Sequence, residues 1–118
     1  MSNPNIVNVS TIYGNTGVQN VTTSATAIAN NVSSSGKIYK INALMITNVS
    51  ANAANITVDL YRSGTAYLIT NSLTINPNTA FTPIDKTLSL YLLEGDAIRC
   101  TANANSALQA VCSWEEIN

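Results

Sequence analysis

The stretch 87–100, TLSLYLLEGDAIRC, decides the fold class. Leu88, Leu90 and Leu92 alternate with Thr87, Ser89 and Tyr91; Glu94-Gly95-Asp96 interrupts; Ile98 and Cys100 then resume the alternation around Ala97 and Arg99. Successive side chains of a strand point to opposite faces, so the three leucines share one face and their polar neighbours take the other. The pattern predicts strand, tight turn, strand, with one face buried. Gly95 supplies the positive φ of a tight hairpin turn, and the flanking carboxylates can accept bonds from its free N–H groups. A calcium site at the same turn is the alternative reading, and it needs further oxygen ligands from elsewhere in the chain.

Working outward, the same punctuation recurs. Toward the C-terminus, Leu108, Ala110, Cys112 and Trp114 alternate with Gln109, Val111, Ser113 and Glu115 after a small-residue loop, and form the partner of the strand ending at Cys100. On that hairpin Cys100 and Cys112 point the same way, as two buried thiols or as a cross-strand disulfide if the register brings them opposite. Trp114 reads as core, with an interface role as the lesser alternative. Toward the N-terminus, Ile56, Val58 and Leu60 alternate with Thr57, Asp59 and Tyr61; 66–70 and 72–75 read as two short strands; Pro77 and Pro83 confine their neighbours to turns or edges. Lys37 to Val49 is the longest strand. Tyr39, Ile41, Ala43, Met45 and Val49 occupy one face and Ile38, Leu44 and Ile46 the other, which predicts a central strand whose second face is covered by a loop or another subunit. Ala25 to Ile28 is a short strand.

Residues 2–23 are polar with irregular apolar positions, broken by Gly14-Asn15-Thr16-Gly17. They read either as an arm that adds to a neighbouring subunit or as edge strands of the same sheet. Ile6, Val7, Val9, Ile12 and Tyr13 are the candidate subunit contacts. The division is therefore 1–23, N-terminal arm or edge strands, and 24–118, sandwich domain. About eight short strands at regular spacing, with no helix pattern, predict an all-β antiparallel sandwich or barrel.

The chain of 118 residues is long enough for one domain that buries about two thirds of its unfolded surface. Only 9% of residues are charged, against about 25% in ordinary soluble domains. With a formal net charge of −1, copies repel one another little, which suits a subunit of an assembly. Lys37, Lys40, Arg62, Lys86 and Arg99 are scattered and form no basic stripe, so no nucleic acid is expected. No apolar run reaches the length of a membrane helix, so no membrane is expected either. The start, Met1-Ser2-Asn3-Pro4-Asn5, has no signal-peptide pattern, and synthesis in a cytoplasm is the expectation.

The chain has no histidine, which removes the commonest general base and zinc ligand together. Most of the acids Asp59, Asp85, Glu94, Asp96, Glu115 and Glu116 fall at turns or the chain end, and the five glycines are isolated in turns rather than gathered in a phosphate loop. No enzyme activity, cofactor or metal is expected. The tyrosines at 13, 39, 61, 67 and 91 are dispersed, so a glycan platform depends on convergence in the fold.

From Ile38 to Ile117 the succession LMITNVSANAANITVDLYRSGTAYLI, SLTINPNTAFTPIDK and LYLLEGDAIRCTANANSALQAVCSWEEI resembles small virion proteins of tailed bacteriophages. In that family an Asn-rich turn follows a strand, Tyr-Leu opens the next strand, Leu-x-x-Gly-Asp-x-Ile follows, and the chain closes on Ser-aromatic-Glu-Glu. The resemblance implies a non-enzymatic, jelly-roll-like β-sandwich on the particle. Its implied role is a capsid decoration (cement) protein on the head surface, a homotrimer bound to the major capsid protein. A neck, tail or fibre-associated domain that binds host-surface glycan is the alternative.

Overall fold

The computed structural model describes residues 7–118. Among them lie nine strands and no helix: β1 Ile12–Asn20, β2 Thr26–Asn30, β3 Ile38–Asn48, β4 Ala54–Arg62, β5 Thr65–Ile75, β6 Ala80–Ile84, β7 Leu90–Leu92, β8 Ala97–Ala102 and β9 Leu108–Ile117. Four nested antiparallel pairings organise them: β1 with β9, β2 with β8, β3 with β6 and β7, and β4 with β5. Two further pairings, β9 with β3 and β8 with β4, roll this long folded hairpin into two sheets. The first sheet runs β1-β9-β3, with β6 and β7 sharing the far side of β3; the second runs β2-β8-β4-β5. This is the expected sandwich, with jelly-roll connectivity. The strand opposite β3 is split into β6 and β7 by a turn. There the Asp85 carboxylate accepts from the Thr87 hydroxyl at 2.6 Å and from its amide at 2.9 Å, and these bonds hold its pKa below the ordinary value.

The core is filled from both sheets. Ile41, Leu44 and Ile46 on β3, Leu108 and Cys112 on β9, and Leu92 face Ile56, Val58, Ile98 and Cys100, all with no accessible surface. Each large aliphatic side chain so buried contributes about 1.5–3 kcal/mol.

Four expectations about the strands need correction. The 87–100 stretch is not a hairpin: β7 pairs with β3 in the first sheet and β8 with β2 and β4 in the second. Glu94-Gly95-Asp96 is a corner between sheets, with Gly95 at φ +88°. Alternation is the same on a strand that pairs beside its neighbour and on one that crosses to the opposite layer, so it does not separate the two. For the same reason β8 and β9 form no hairpin, and Cys100 and Cys112 approach from opposite sheets as free thiols. Residues 65–75, read as two strands, are one, with Ser72 at φ 49° near a register shift.

The fourth correction concerns β3. Its register against β9 slips between Ile41 and Ala43, so Asn42 is the extra residue of a bulge. That slip brings Tyr39, Ile41, Leu44 and Ile46 onto one inner face, where all four are buried. Strict alternation had divided them between two faces. The apolar residues left on the outer face are Ile38, which is buried, and Ala43 and Met45, which are at least partly exposed.

Of the two readings of the N-terminal segment, the edge strand describes 12–20: β1 pairs with β9 along its whole length, and Val21 is fully buried. The sandwich therefore starts at Ile12 and not at residue 24. The ends of the roll are closed by two buried asparagines. At one end the Asn31 amide donates to the carbonyls of Lys37 (2.9 Å) and Leu92 (3.0 Å). At the other the Asn48 amide donates to those of Asn52 (2.9 Å) and Ile75 (2.8 Å). The buried carbonyls at the ends of β7 and β5, those of Leu92 and Ile75, are thus satisfied.

Candidate interaction surface

Cross-strand register arranges the outer face of the first sheet in rows. Thr16, Ser113 and Ala43 form one row; Val18, Val111 and Met45 the next; Asn20, Gln109 and Thr47 the third. None of the nine side chains is charged. The middle row is apolar and open to water, with Val18 77%, Met45 45% and Val111 36% exposed. The first charges appear one row further on, at Glu115 and Lys40 beside Gly14. On the third row the Gln109 amide donates to the Asn20 side-chain carbonyl at 3.2 Å.

The outer face of the second sheet is built differently. Arg99 on β8 stands opposite Asp59 on β4 and donates through Nε at 2.9 Å and Nη2 at 3.3 Å. Its guanidinium also lies 3.9 Å from the centroid of the Tyr61 ring. The Asp59 side chain is only 4% exposed beneath this cover. Every strong polar group at the centre of this face has an internal partner.

The sequence-derived contact residues divide. Ile6 lies outside the described residues. Val7 is exposed and Val9 half-buried ahead of β1, while Ile12 and Tyr13 are exposed on β1 itself. Ile12 belongs to the outer face. Tyr13 belongs to the inner one, opposite Glu116, which in turn stands opposite Tyr39. Around that carboxylate two residues distant in sequence converge, with Lys37 donating at 3.0 Å and Asn15 at 2.6 Å, and the indole N–H of Trp114, two residues back on the same strand, donates at 3.3 Å. Tyr39 and Trp114 stack at a centroid distance of 6.0 Å. Glu116 holds the Lys37 ammonium above its ordinary pKa, and burial raises that of Tyr39. Each carboxylate oxygen is occupied from within the chain, so this corner fastens β1 and the β2–β3 loop to β9. Tyr61 lies under Arg99, and Tyr67 and Tyr91 sit on β5 and β7, so the five tyrosines form no single platform.

At the 94–96 corner, Asp96 accepts from Arg62 Nε at 2.8 Å and Nη2 at 2.6 Å and from the Leu93 amide at 2.8 Å, and the pair raises the arginine's pKa. Glu94 accepts from the Gly36 amide at 3.2 Å. Among the described residues no three His, Cys, Asp or Glu side chains gather as metal ligands would. Cys100 and Cys112 are fully buried, and burial pushes both thiols up to about 12, so neither is available as a nucleophile or cross-linker on the surface.

Val18, Val111 and Met45 were not among the sequence-derived contacts. Val111 was legible as an apolar residue on the polar side of its strand. Met45 was hidden by the bulge, and Val18 by the irregular spacing of its segment.

No protein-family model matches the chain, and neither does any curated protein. Among solved structures it is similar to a chain from Bacillus endospore appendages, described as a novel family of disulfide-linked pili. The two share 15% identity and a TM-score of 0.54, over 100% of this chain and 96% of that one. At that identity the likeness establishes the β-sandwich fold and nothing more.

Proposed function

We propose that this chain is a non-catalytic structural subunit of a virus particle, a capsid decoration protein that binds the major capsid protein on the outside of the head. The observation that carries the reading is the contrast in surface finish. The edge strand β1 carries no charge and is partly apolar, with Ile12, Tyr13 and Val18 exposed along it, while Arg99–Asp59 on the second sheet and Arg62–Asp96 and Lys37–Glu116 at the corners of the sandwich are paired within the chain. An open, uncharged edge and face suits burial against another protein, because little has to be stripped of water without a partner. The virion resemblance of 38–117 supplies the context. Shell contact is assigned to the β1 edge and the residues that lead into it, Val7 and Val9.

A filament subunit is the second reading, favoured by end-to-end likeness to a pilus chain. Such a filament would be held by surface contacts alone, since both cysteines of this chain are buried in the core.

Quantitative mass spectrometry of purified particles tests the proposal. Copies comparable in number to the major capsid protein support head decoration; a small fraction of that number indicates a neck or tail position. Absence from particles, with filaments of the purified chain in electron micrographs, favours the second reading. A truncation that tests shell contact must stop before Ile12, because loss of β1 opens the core at Val21.

A further inference from the structure

We infer that the free edge of β1 is a strand-acceptor site, to which the capsid partner adds an extended, uncharged segment as a further strand of the first sheet. This rests on the particle reading and deepens it, by naming the bonds through which the β1 edge holds its partner.

The ladder between β1 and β9 determines which backbone groups of β1 are open. In an antiparallel pair, residues that exchange both bonds with the partner strand alternate with residues that exchange none. Thr11 and Asn118 exchange both, at 2.9 and 3.1 Å, and the Val21 amide donates to the Leu108 carbonyl at 2.9 Å. The register between these points is unbroken, so Tyr13, Asn15, Gly17 and Gln19 also bond to β9. Ile12, Gly14, Thr16, Val18 and Asn20 therefore turn N–H and C=O away from β9, and among the described residues no strand meets them.

The other sheet edges are each blocked. β6 contains Pro83, which has no N–H to offer, and β7 is only three residues long. β2 has five residues with a register shift, and the Gln19 amide donates to its Thr26 and Ala27 carbonyls at 3.3 and 3.2 Å. β5 is long, but Ser72 stands at φ 49° and its register against β4 shifts twice. Short edges, prolines and bulges are the means by which sheets refuse further strands. β1 has none of them: its nine residues include no proline, no charge and no register shift. A regular edge of that length is a template for another chain.

A segment of a different sequence fits this edge better than a second β1. Antiparallel self-pairing over the whole strand sets Ile12 opposite Asn20 and Gly14 opposite Val18, with no apolar pair. A partner segment is free of that constraint. Apolar or β-branched side chains beside Ile12 and Val18, with neutral polar ones beside Thr16 and Asn20, complete the row, whereas a charged side chain finds no counter-charge on β1.

Binding of the full chain to purified shells that lack it tests this, with Gly14→Pro compared against Gly14→Ala. A Cβ at Gly14 meets nothing within 4 Å, and the Gly14 N–H is not used by β9, so both replacements fit the fold; only proline removes the outward N–H. The dissociation constant of Gly14→Pro should exceed that of Gly14→Ala at least about 10-fold, because a partner carbonyl is left without its donor. Near-ultraviolet circular dichroism from the Trp114–Tyr39 stack shows that each variant is folded; if Gly14→Pro is not, Thr16→Pro against Thr16→Ala makes the same comparison. Hydrogen exchange on the bound, unmodified chain needs no variant: the amides of Ile12, Gly14, Thr16, Val18 and Asn20 should gain protection, while those of Tyr13, Asn15, Gly17 and Gln19, already bonded to β9, change little. Equal binding by the proline and alanine variants, or protection that does not alternate, overturns strand addition and leaves the particle reading intact. The same alternating protection in the chain alone as its concentration rises assigns the edge to a second copy and overturns the inference too. An unmodified chain that does not bind shells overturns both.

Discussion

The two outer faces of the sandwich are finished by opposite means. On the second sheet, a nearly buried carboxylate is matched by a bidentate guanidinium that is itself backed by an aromatic ring. On the first sheet the equivalent central positions hold valine, methionine, serine and threonine, with no polar group that requires a partner. Where the chain has invested charge, the fold itself depends on the face. Where it has left small neutral groups, the face adds little to the fold and is free for contact with another protein. The comparison is therefore between a surface held by internal charge pairs and one whose central side chains call for none.

Replacing Arg99 by alanine is the strongest way to break that comparison. Asp59 would remain nearly buried without its counter-charge, a situation that costs about 3 kcal/mol. Chemical denaturation should show a loss of that size, and the double variant Asp59→Leu/Arg99→Met should recover most of it, because the stranded charge is then gone. A loss below 1 kcal/mol for the single variant would mean that water reaches Asp59 and that the two faces differ less than their geometry implies.

Much of this arrangement was legible in the sequence, and the misreadings have one physical origin. Alternation along Ile56 to Leu60 and along Leu108 to Trp114 gave strands with the correct inner faces, since neither stretch is bulged on its core-facing residues. It did not give the layer. The chain leaves Leu92 for one sheet and enters Ala97 in the other through a corner as short as a hairpin turn, and only the pairing partners, far away in sequence, distinguish the two. Nor did alternation survive the bulge at Asn42, where one added residue exchanged the faces of everything after it. The contact surface suffered most from this, because strict alternation grouped Met45 with Tyr39 and Ile41, from which the bulge separates it. The Glu116 corner was equally hidden: Asn15 and Lys37 have no sequence relation to it until β1 and the loop before β3 lie beside β9.

A smaller effect is expected at Gly17, on the inward-facing side of β1. A Cβ there would lie 2.9 Å from the Ile28 carbonyl oxygen and 3.0 Å from the Trp114 ring, so one layer would have to move from the other. Gly17→Ala should lower stability by about 2 kcal/mol, measured by denaturation, and should disturb the near-ultraviolet signal of the Trp114–Tyr39 stack. An unchanged midpoint would show that the edge strand shifts freely, and β1 would then count as loosely held rather than as part of the framework.

The smallest effect is expected one residue later, and there the comparison is sharpest. Val18 follows Gly17 on the same strand but points outward, 77% exposed, and Val18→Thr keeps the branched side chain that suits a strand while exchanging a methyl group for a hydroxyl. If the apolar row serves contact with other molecules, the isolated chain has nothing to lose, and its unfolding free energy at concentrations too low for association should change by no more than about 0.5 kcal/mol. Gly17 and Val18 then report, from adjacent positions, a side of β1 that the fold needs and a side that it does not. A loss above 1 kcal/mol for Val18→Thr in the isolated chain would instead make Val18, Val111 and Met45 a second small core stabilised within one molecule, and the first sheet would differ from the second only in the chemistry by which it is held.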